Sequence, residues 1–280
     1  MSGLDLAVRR GEVHGFLGPN GAGKSTTIRI LLGQLRLDRG RVRVLGRDPW
    51  RDAVAVHEQV AYVPGDVTLW PGFTGGECID VLSSLQGRPN RRRRDDLVDR
   101  FDLDPSRRFR TYSKGNRQKV ALIAALAADA DLLILDEPTS GLDPLMEAEF
   151  QAAVMARARE GVTVLLSSHI LAEVEALCDR VSIVREGRTV RSDTIDGLRQ
   201  HAASVVAFTT ATPVAALQTA PDCTQRHVPD GVRTSLWVPA DQLGATLTTV
   251  LAAAPTSLSV EPPSLDALFL GEYREASTGR

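Results

Sequence analysis

The sequence predicts an α/β fold in which a largely parallel β-sheet is covered by helices. From residue 11 to residue 190, short apolar or β-branched runs alternate with amphipathic stretches, which is the pattern of strands joined by helices. Between residues 72 and 128 the strand patterns stop and three helical patterns follow one another, so we expect a helical subdomain inserted into the core. After about residue 201 the chain becomes rich in Ala, Thr, Val and Pro, which indicates a small α+β appendage.

The individual elements are placed by these patterns in chain order. Six core strands are predicted at EVHGFL (12–17), RVRVLG (41–46), VAYV (60–63), DLLILD (131–136), VTVLLSS (162–168) and RVSIV (180–184). The insertion is predicted to hold three helices, at Thr74–Gln86, Arg91–Phe101 and Gly115–Ala128. In the appendage we expect strands such as VRTSLWV (232–238), one helix at Gln242–Ala253 and a last segment SLDALFL (264–270). The predicted domains are residues 1–200, with the helical subdomain at about 72–128, and residues 201–280.

Composition excludes several classes of protein. The 280 residues carry a net charge of -2, so any basic partner site must be local. Cys78, Cys178 and Cys223 are odd in number and widely spaced, which fits reduced thiols in the cytoplasm better than disulfides or zinc. No apolar run approaches the roughly 20 residues that a membrane-spanning helix needs. A function at a membrane would therefore require a separate membrane-spanning protein.

The run of four arginines at 91–94 has two interpretations, a nucleic-acid site or a solvated helix face. Asp95, Asp96 and Asp99 follow at once, and no aromatic residues are interleaved with the arginines. A nucleic-acid site would be expected to show aromatic residues and an excess of positive charge. We therefore predict a solvated helix face and no nucleic-acid partner.

The segment GPNGAGKST (18–26) carries the clearest chemistry in the chain. It follows the strand EVHGFL and opens a helical pattern, which is the context of a P-loop. Glycines let the backbone N–H groups wrap a phosphate chain, and the helix N-terminus adds its dipole. The lysine would reach the β and γ phosphates, and the following serine would bind Mg²⁺. The predicted nucleotide-binding residues of this loop are Gly18, Pro19, Asn20, Gly21, Ala22, Gly23, Lys24, Ser25 and Thr26.

The buried-strand pattern DLLILD ends at Asp136, and Glu137 follows directly in the segment DEPTSGLDP. A buried strand is a costly place for Asp136 and Glu137 unless a cation or a proton transfer uses them. Asp136 fits a ligand of the same Mg²⁺, and Glu137 fits a base that orients the attacking water. The alternative is that both are polar turn residues of an ordinary loop. His169, after the strand VTVLLSS, is by itself more typical of a helix cap or surface residue.

The segment TYSKGNRQKVAL (111–122) is polar and basic, contains one glycine and runs into an apolar helical pattern. From composition alone it fits a basic patch for nucleic acid, a solvated turn before a buried helix, or part of a catalytic site. The motif order decides among these three.

Taken together, these motifs resemble the ATP-binding cassette of ABC transporters over roughly residues 4 to 200. The resemblance implies ATP and Mg²⁺ as cofactors, with Asp136 as the Walker-B aspartate, Glu137 as the catalytic glutamate and Ser140–Asp143 as the D-loop. It also implies that His169 is the switch histidine that senses the γ phosphate. TYSKGNRQK falls at the signature motif, so Ser113 and Gly115 would bind the γ phosphate of the opposite subunit.

Three features depart from the family's usual pattern. Lys114 stands where the signature motif usually has glycine, and it brings a cation toward the phosphates. Gly65, in Val63–Asp66, stands where a glutamine usually touches Mg²⁺ and water, so coupling to the permease would use backbone, water or Asp66. No aromatic residue precedes Phe16 to stack on adenine, so either translation starts further upstream, which we expect, or adenine binding is weakened. The first two departures resemble one export branch, the ABC-2 type drug and antibiotic exporters.

The resemblance implies an ATPase subunit that powers a separate polytopic membrane permease from the cytoplasmic face of the cell membrane. Two ATP-binding subunits, identical or different, would form a head-to-tail dimer with two composite sites. Two alternatives remain open at this point. One is a soluble ABC ATPase of translation or repair, although those usually carry paired cassettes or long coiled-coil insertions. The other is a binding module that senses nucleotide without turnover.

Overall fold

The structure is a computed structural model, and it describes residues 3–86, 88–200, 204–217, 223–239 and 241–261. The chain forms two compact units, residues 1–193 and residues 194–280. The domain boundaries stay a prediction. No helix in these described ranges is both long enough and apolar enough to cross a bilayer.

The first unit is built on a six-stranded sheet in the order β2-β5-β6-β1-β7-β8. The first five strands in that order pair in parallel with their neighbours. The strands are β1 (Val13–Leu17), β2 (Val60–Val63), β5 (Leu132–Asp136), β6 (Thr163–Ser168), β7 (Arg180–Arg185) and β8 (Arg188–Thr194); β3 (Arg88–Pro89) and β4 (Ala128–Asp129) form a separate pair. Every residue of β1, β5 and β6 is buried, as expected for a parallel sheet covered on both faces.

The register of the central strands brings three loops to one edge of the sheet. Leu17, the last residue of β1, pairs with Ser168, and Asp136, the last residue of β5, pairs with Ser167. The carboxyl ends of β1, β5 and β6 therefore lie side by side. The residues that follow these ends are those predicted to carry chemistry.

Five of the six predicted core strands are present, and the prediction for RVRVLG was wrong. Residues 41–46 form no strand, and only an isolated bridge joins Val44 to Arg47. Leu45 and Gly46 have positive φ angles of 51° and 82°, so the chain reverses directly after Val44. The alternation of valine and arginine imitates a strand, but the left-handed turn leaves no length for one.

The helical subdomain contains the three predicted helices with small shifts at their ends. They are α3 (Gly75–Leu85), α4 (Arg91–Arg100) and α5 (Lys114–Ala127), with a 3-10 turn at Phe109–Thr111 before α5. Thr74, Asn90 and Ser113 cap them, each accepting a hydrogen bond from a backbone N–H three residues later. All residues of α5 from Gln118 to Ala127 are buried, so this helix is the centre of the subdomain.

Four more helices belong to the first unit. They are α1 (Lys24–Leu31), α2 (Ala53–His57), α6 (Pro144–Arg159) and α7 (Leu171–Leu177). Asp143 caps α6 by accepting a hydrogen bond from the Met146 N–H at 3.0 Å, and Pro144 occupies the first helical position.

The second unit contains an antiparallel sheet in the order β10-β11-β9-β12. Its elements are α8 (Ile195–Gln200), β9 (Ser204–Thr210), a 3-10 turn at Ala215–Leu217, β10 (Thr224–Val228), β11 (Gly231–Val238), α9 (Leu243–Ala252) and β12 (Ser257–Glu261). Val206, Phe208, Leu236 and Val250 form its core. The predicted strand at 232–238 and helix at 242–253 are confirmed, whereas SLDALFL lies outside the described residues.

Candidate active site

The loop between β1 and α1 is shaped by its glycines. Gly21 and Gly23 have φ angles of 82° and 106°, a region that side chains with a Cβ rarely adopt. A Cβ at Gly18 would lie 2.4 Å from the Val184 carbonyl oxygen, so only glycine fits there. The Gly18 N–H donates to the Ser168 carbonyl oxygen at 3.4 Å, which ties the loop to the end of β6.

Lys24, the first residue of α1, holds its ammonium group inside this loop. Nζ donates to the carbonyl oxygens of Gly18 at 2.6 Å and Pro19 at 3.3 Å, and it lies 3.7 Å from Glu137 Oε1. Burial lowers the pKa of Lys24, while the charges of Glu137 and Asp136 oppose that shift. The ammonium is therefore a buried cation with few fixed anionic partners, and a phosphate would supply more.

Asp136 ends β5 with a carboxylate that is 6% exposed. Its Oδ1 is buried and accepts no hydrogen bond from any described residue. A buried acceptor without a partner is unfavourable, so this oxygen is suited to a ligand. Burial, together with the negative charge of Asp136, raises the pKa of Tyr62 to about 12.

The side-chain oxygens of Ser25 and Asp136 are suited to bind Mg²⁺. Ser25 follows Lys24 with an exposed side chain, so one hydroxyl and one carboxylate oxygen are available from the protein. Mg²⁺ prefers oxygen ligands and keeps several waters, with one or two protein ligands and substrate phosphates completing its shell. A site with only these two protein ligands therefore matches a metal that arrives with a nucleotide.

Glu137 adopts a backbone conformation that is uncommon for its residue type. Its φ angle is 47°, and its N–H donates to the Ser167 carbonyl oxygen at 2.9 Å. Such a left-handed conformation costs of order 1 kcal/mol or more for a residue with a Cβ. It aims the carboxylate so that Oε1 lies 3.2 Å from His169 Nδ1 as well as near Lys24.

The loop that carries His169 is held by two residues that sequence reasoning missed. Ser168 Oγ donates to Glu173 Oε2 and accepts from the Ile170 N–H at 2.9 Å, so it braces the main chain on both sides of His169. Burial raises the pKa of the Glu173 carboxyl, and the hydrogen bond from Ser168 opposes this shift. The sequence feature that could have indicated Glu173 is a carboxylate between the apolar residues Leu171 and Val174, on the buried side of α7.

None of the hydrogen bonds or ion pairs that the structure describes joins residues 111–122 to the phosphate loop of the same chain. Ser113 Oγ accepts from the Asn116 N–H at 3.3 Å, and Lys114 Nζ donates to Ser140 Oγ at 2.8 Å. A Cβ at Gly115 would lie 2.5 Å from the Gly141 carbonyl oxygen. The N-terminus of α5 is thus packed on Ser140–Gly141, close behind Glu137 in sequence.

Gly65 borders the same site. A Cβ at this position would lie 3.2 Å from the Asp136 carbonyl oxygen and 3.7 Å from Glu137 Cβ. Gly65 thus lies against the backbone at the junction of Asp136 and Glu137. Asp66 is exposed.

The chain belongs to the ABC transporter family, whose pattern matches residues 1–140. It is 42% identical over 204 residues to the daunorubicin resistance ATP-binding protein DrrA3 of Streptomyces coeruleorubidus, covering 71% of this chain and 65% of that protein. It is 38% identical over 211 residues to the daunorubicin/doxorubicin resistance ATP-binding protein DrrA of Streptomyces peucetius, covering 74% and 64%. The chain thus spans slightly less than two thirds of the length of these relatives.

Solved structures agree with the fold. The ATP-binding subunit of an ABC transporter superposes with a TM-score of 0.67 at 33% identity, covering 70% of this chain and 84% of that one. A dimeric bacterial ABC transporter cassette superposes with a TM-score of 0.62 at 21% identity, covering 69% and 89%, and supports the fold alone. The predicted fold class, an ABC-type P-loop core with an inserted helical subdomain, is confirmed.

Proposed function

We propose that this chain binds and hydrolyses ATP and thereby powers a separate membrane permease in an export system of the ABC-2 type. The observation that carries the proposal is the convergence of two groups, Lys24 and His169, on one carboxylate oxygen of Glu137. Glu137 Oε1 lies 3.7 Å from Lys24 Nζ and 3.2 Å from His169 Nδ1. A phosphate-binding cation, a base and a histidine are thereby joined at one edge of the sheet.

ATP binding would use the loop from Gly18 to Thr26. Its backbone N–H groups and the N-terminus of α1 would surround the phosphates, and Lys24 would exchange its Gly18 and Pro19 carbonyl partners for phosphate oxygens. Ser25 and Asp136 would hold Mg²⁺, which supplies charge stabilisation at the phosphates.

Hydrolysis would depend on Glu137 and His169. The Glu137 carboxylate would orient a water and accept its proton as the water attacks the γ phosphate. His169, bonded to the same carboxylate, would hold Glu137 in place and contact the γ phosphate. The contacts of Glu137 Oε1 with Lys24 and His169 support this role, because they hold the carboxylate in one position.

The site would be completed by a second ATP-binding subunit, identical or different. Ser113 and Gly115 lie at the N-terminus of α5, where a hydroxyl and a backbone N–H are suited to an anion. Their own chain presents them on the D-loop segment rather than on its phosphate loop. In a head-to-tail dimer they would close the partner's ATP site, as ATP binding joins the halves and hydrolysis releases them.

The other partner would be a polytopic permease, which would place this chain at the cytoplasmic face of the cell membrane. The relatives named for daunorubicin resistance support export of drug-like compounds. No nucleic-acid partner is proposed. The test is Mg-ATPase activity of the full-length chain with its permease: turnover supports the proposal, and its absence would favour a nucleotide-sensing module.

Replacing Glu173 tests how the His169 loop is held. Glu173→Leu removes the acceptor of the Ser168 hydroxyl, so we expect kcat to fall about tenfold or more while KM for ATP stays within about twofold. Glu173→Gln keeps an acceptor oxygen and should retain kcat within about threefold. Steady-state ATPase assays at several ATP concentrations separate the two constants.

Val174→Ala is the matched control, since Val174 is buried on the same helix. It should lower the free energy of unfolding by about 1 to 3 kcal/mol and leave kcat at 25 °C unchanged. If Val174→Ala and Glu173→Leu lower kcat equally, Glu173 contributes only to packing.

Lys114→Ala tests whether this lysine contacts the partner's γ phosphate or only Ser140 of its own chain. Its Nζ is bonded to Ser140 Oγ of its own chain, so we expect ATP-driven dimerisation to change by less than about twofold. Analytical ultracentrifugation with Mg-ATP measures the dimer dissociation constant. A loss of about tenfold or more would instead show that Lys114 reaches the partner's γ phosphate.

A further inference from the structure

An arginine-rich surface lies between α1 and α2, apart from the residues discussed so far. Residues 36–52 include six arginines and three aspartates, a local charge of +3 in a chain of net charge -2. A cavity of about 620 Å³ opens on this segment. Its lining includes Arg36, Arg41, Arg43, Arg51 and Trp50. We name these five residues together the arginine surface.

The positive charge of the arginine surface is not neutralised by neighbouring residues. Arg36 and Arg41 are exposed and make no side-chain hydrogen bond or ion pair with any residue in the described ranges. Arg43 donates to a carbonyl oxygen, that of Gly46, at 2.9 Å. Arg51 lies 3.9 Å from Asp48, a long contact between exposed groups.

The two aspartates on the cavity wall are used by the backbone. Asp48 Oδ1 accepts from the N–H groups of Trp50 at 2.9 Å and Arg51 at 3.3 Å, and Asp52 Oδ2 accepts from the Asp48 N–H at 3.2 Å. The Pro49 carbonyl packs closely on Gly33, just after the end of α1, because a Cβ at Gly33 would lie 2.1 Å from the carbonyl oxygen. This turn therefore presents Trp50 outward from a well-defined backbone.

Apolar side chains are exposed beside these charges. Trp50 is 49% exposed, Leu35 is 40% exposed and Val54, on α2, is 76% exposed. An indole ring with arginines around it is suited to a bilayer interface, where the ring enters the headgroup region and the guanidinium groups pair with phosphates. A nucleic-acid site would be expected to contain several aromatic residues interleaved with the arginines, whereas residues 36–52 contain one.

The arginine run on α4 shows the contrasting arrangement. Arg93 pairs with Asp129 at 2.7 Å and with Glu160 at 3.1 Å. Arg94 pairs with Asp80 at 3.0 Å and with Asp95 at 2.7 Å. Arg93 and Arg94 on α4 are thus paired with carboxylates, whereas Arg36 and Arg41 of the arginine surface are not paired with any described residue.

We propose that the arginine surface docks this chain directly on an anionic phospholipid bilayer, with Trp50 entering the headgroup region and the arginines contacting lipid phosphates. The contact is independent of ATP turnover and would add to any contact with a permease. Each arginine near an anionic leaflet strengthens binding about fivefold, so a few of them produce measurable binding at moderate salt.

The test is flotation of the full-length chain, without permease, on vesicles of phosphatidylcholine with about 30 mol% phosphatidylglycerol. We expect binding that weakens with added salt and is absent on pure phosphatidylcholine. Arg36→Gln with Arg41→Gln should weaken binding about tenfold, and Trp50→Ala about fivefold or more. Thermal unfolding midpoints equal to wild type would show that each variant is folded.

Arg91→Gln with Arg92→Gln is the matched control, because it removes the same charge from exposed positions on α4. It should change vesicle binding by less than about twofold. Equal losses from both double variants, or no binding of the wild type, would overturn the proposal. It would also be overturned if a short single-stranded oligonucleotide bound through Arg36 and Arg41 while the vesicles did not.

Discussion

Glu137→Gln is expected to reduce ATP turnover by about 10³-fold while ATP binding is retained. Glutamine has the same shape, so Lys24 and His169 keep an oxygen to contact, but the amide accepts a proton from water far less readily than a carboxylate does. Loss of the nearby negative charge also removes a repulsion from the phosphates, so ATP should bind at least as tightly as to the wild type. Single-turnover hydrolysis and equilibrium binding of ATP measure the two effects separately.

Glu186→Gln is the control for this substitution. Glu186 also has a left-handed backbone, with a φ angle of 50°, and its side chain is 78% exposed. Turnover of this variant should match the wild type. Retention of more than about a tenth of wild-type turnover by Glu137→Gln would show that another group serves as the base.

Lys24→Ala is expected to weaken ATP binding about 100-fold and to remove measurable turnover. The ammonium is a buried cation whose partners are the Gly18 and Pro19 carbonyl oxygens and the Glu137 carboxylate. Without it, the loop would present its carbonyl oxygens and the carboxylates to a polyanion with no compensating charge. Isothermal titration with Mg-ATP measures the change in affinity.

Lys24→Arg separates charge from geometry at this position. Arginine keeps the positive charge but replaces a compact ammonium with a planar fork, which does not fit the space among the loop carbonyl groups. We expect it to recover less than about a tenth of the lost affinity. If Lys24→Ala binds ATP as tightly as the wild type, the phosphate-binding role of this loop is wrong.

The fold was largely predictable from sequence because buried parallel strands appear as short apolar runs. VTVLLSS and DLLILD were placed within one residue of β6 and β5. The strand predicted at RVRVLG is absent because an alternating pattern alone does not reveal that Leu45 adopts a left-handed backbone conformation. A glycine such as Gly46 after a β-branched run is the one warning that the sequence contains.

The candidate site was predicted from spacing at the phosphate loop and at the pair Asp136 and Glu137, and the structure brings Lys24, Glu137 and His169 together. The sequence around His169 does not by itself indicate a functional residue. His169 becomes a candidate because the parallel strands end at the same edge of the sheet. Glu173 and the bond from Lys114 to Ser140 depend on side-chain packing across the fold, which sequence pattern does not encode.

ATP-driven dimerisation of the Glu137→Gln protein tests the composite site most directly. Light scattering after size exclusion should show monomer without nucleotide and dimer with Mg-ATP. Adding Ser113→Asp keeps a good helix cap but would, in the proposed composite site, place a carboxylate against the partner's γ phosphate. The account predicts a monomer that still binds ATP, whereas Asn90→Asp, the same kind of change at the cap of α4, leaves the dimer intact. Dimerisation of the Ser113→Asp protein at the same ATP concentration as its Glu137→Gln parent would contradict it.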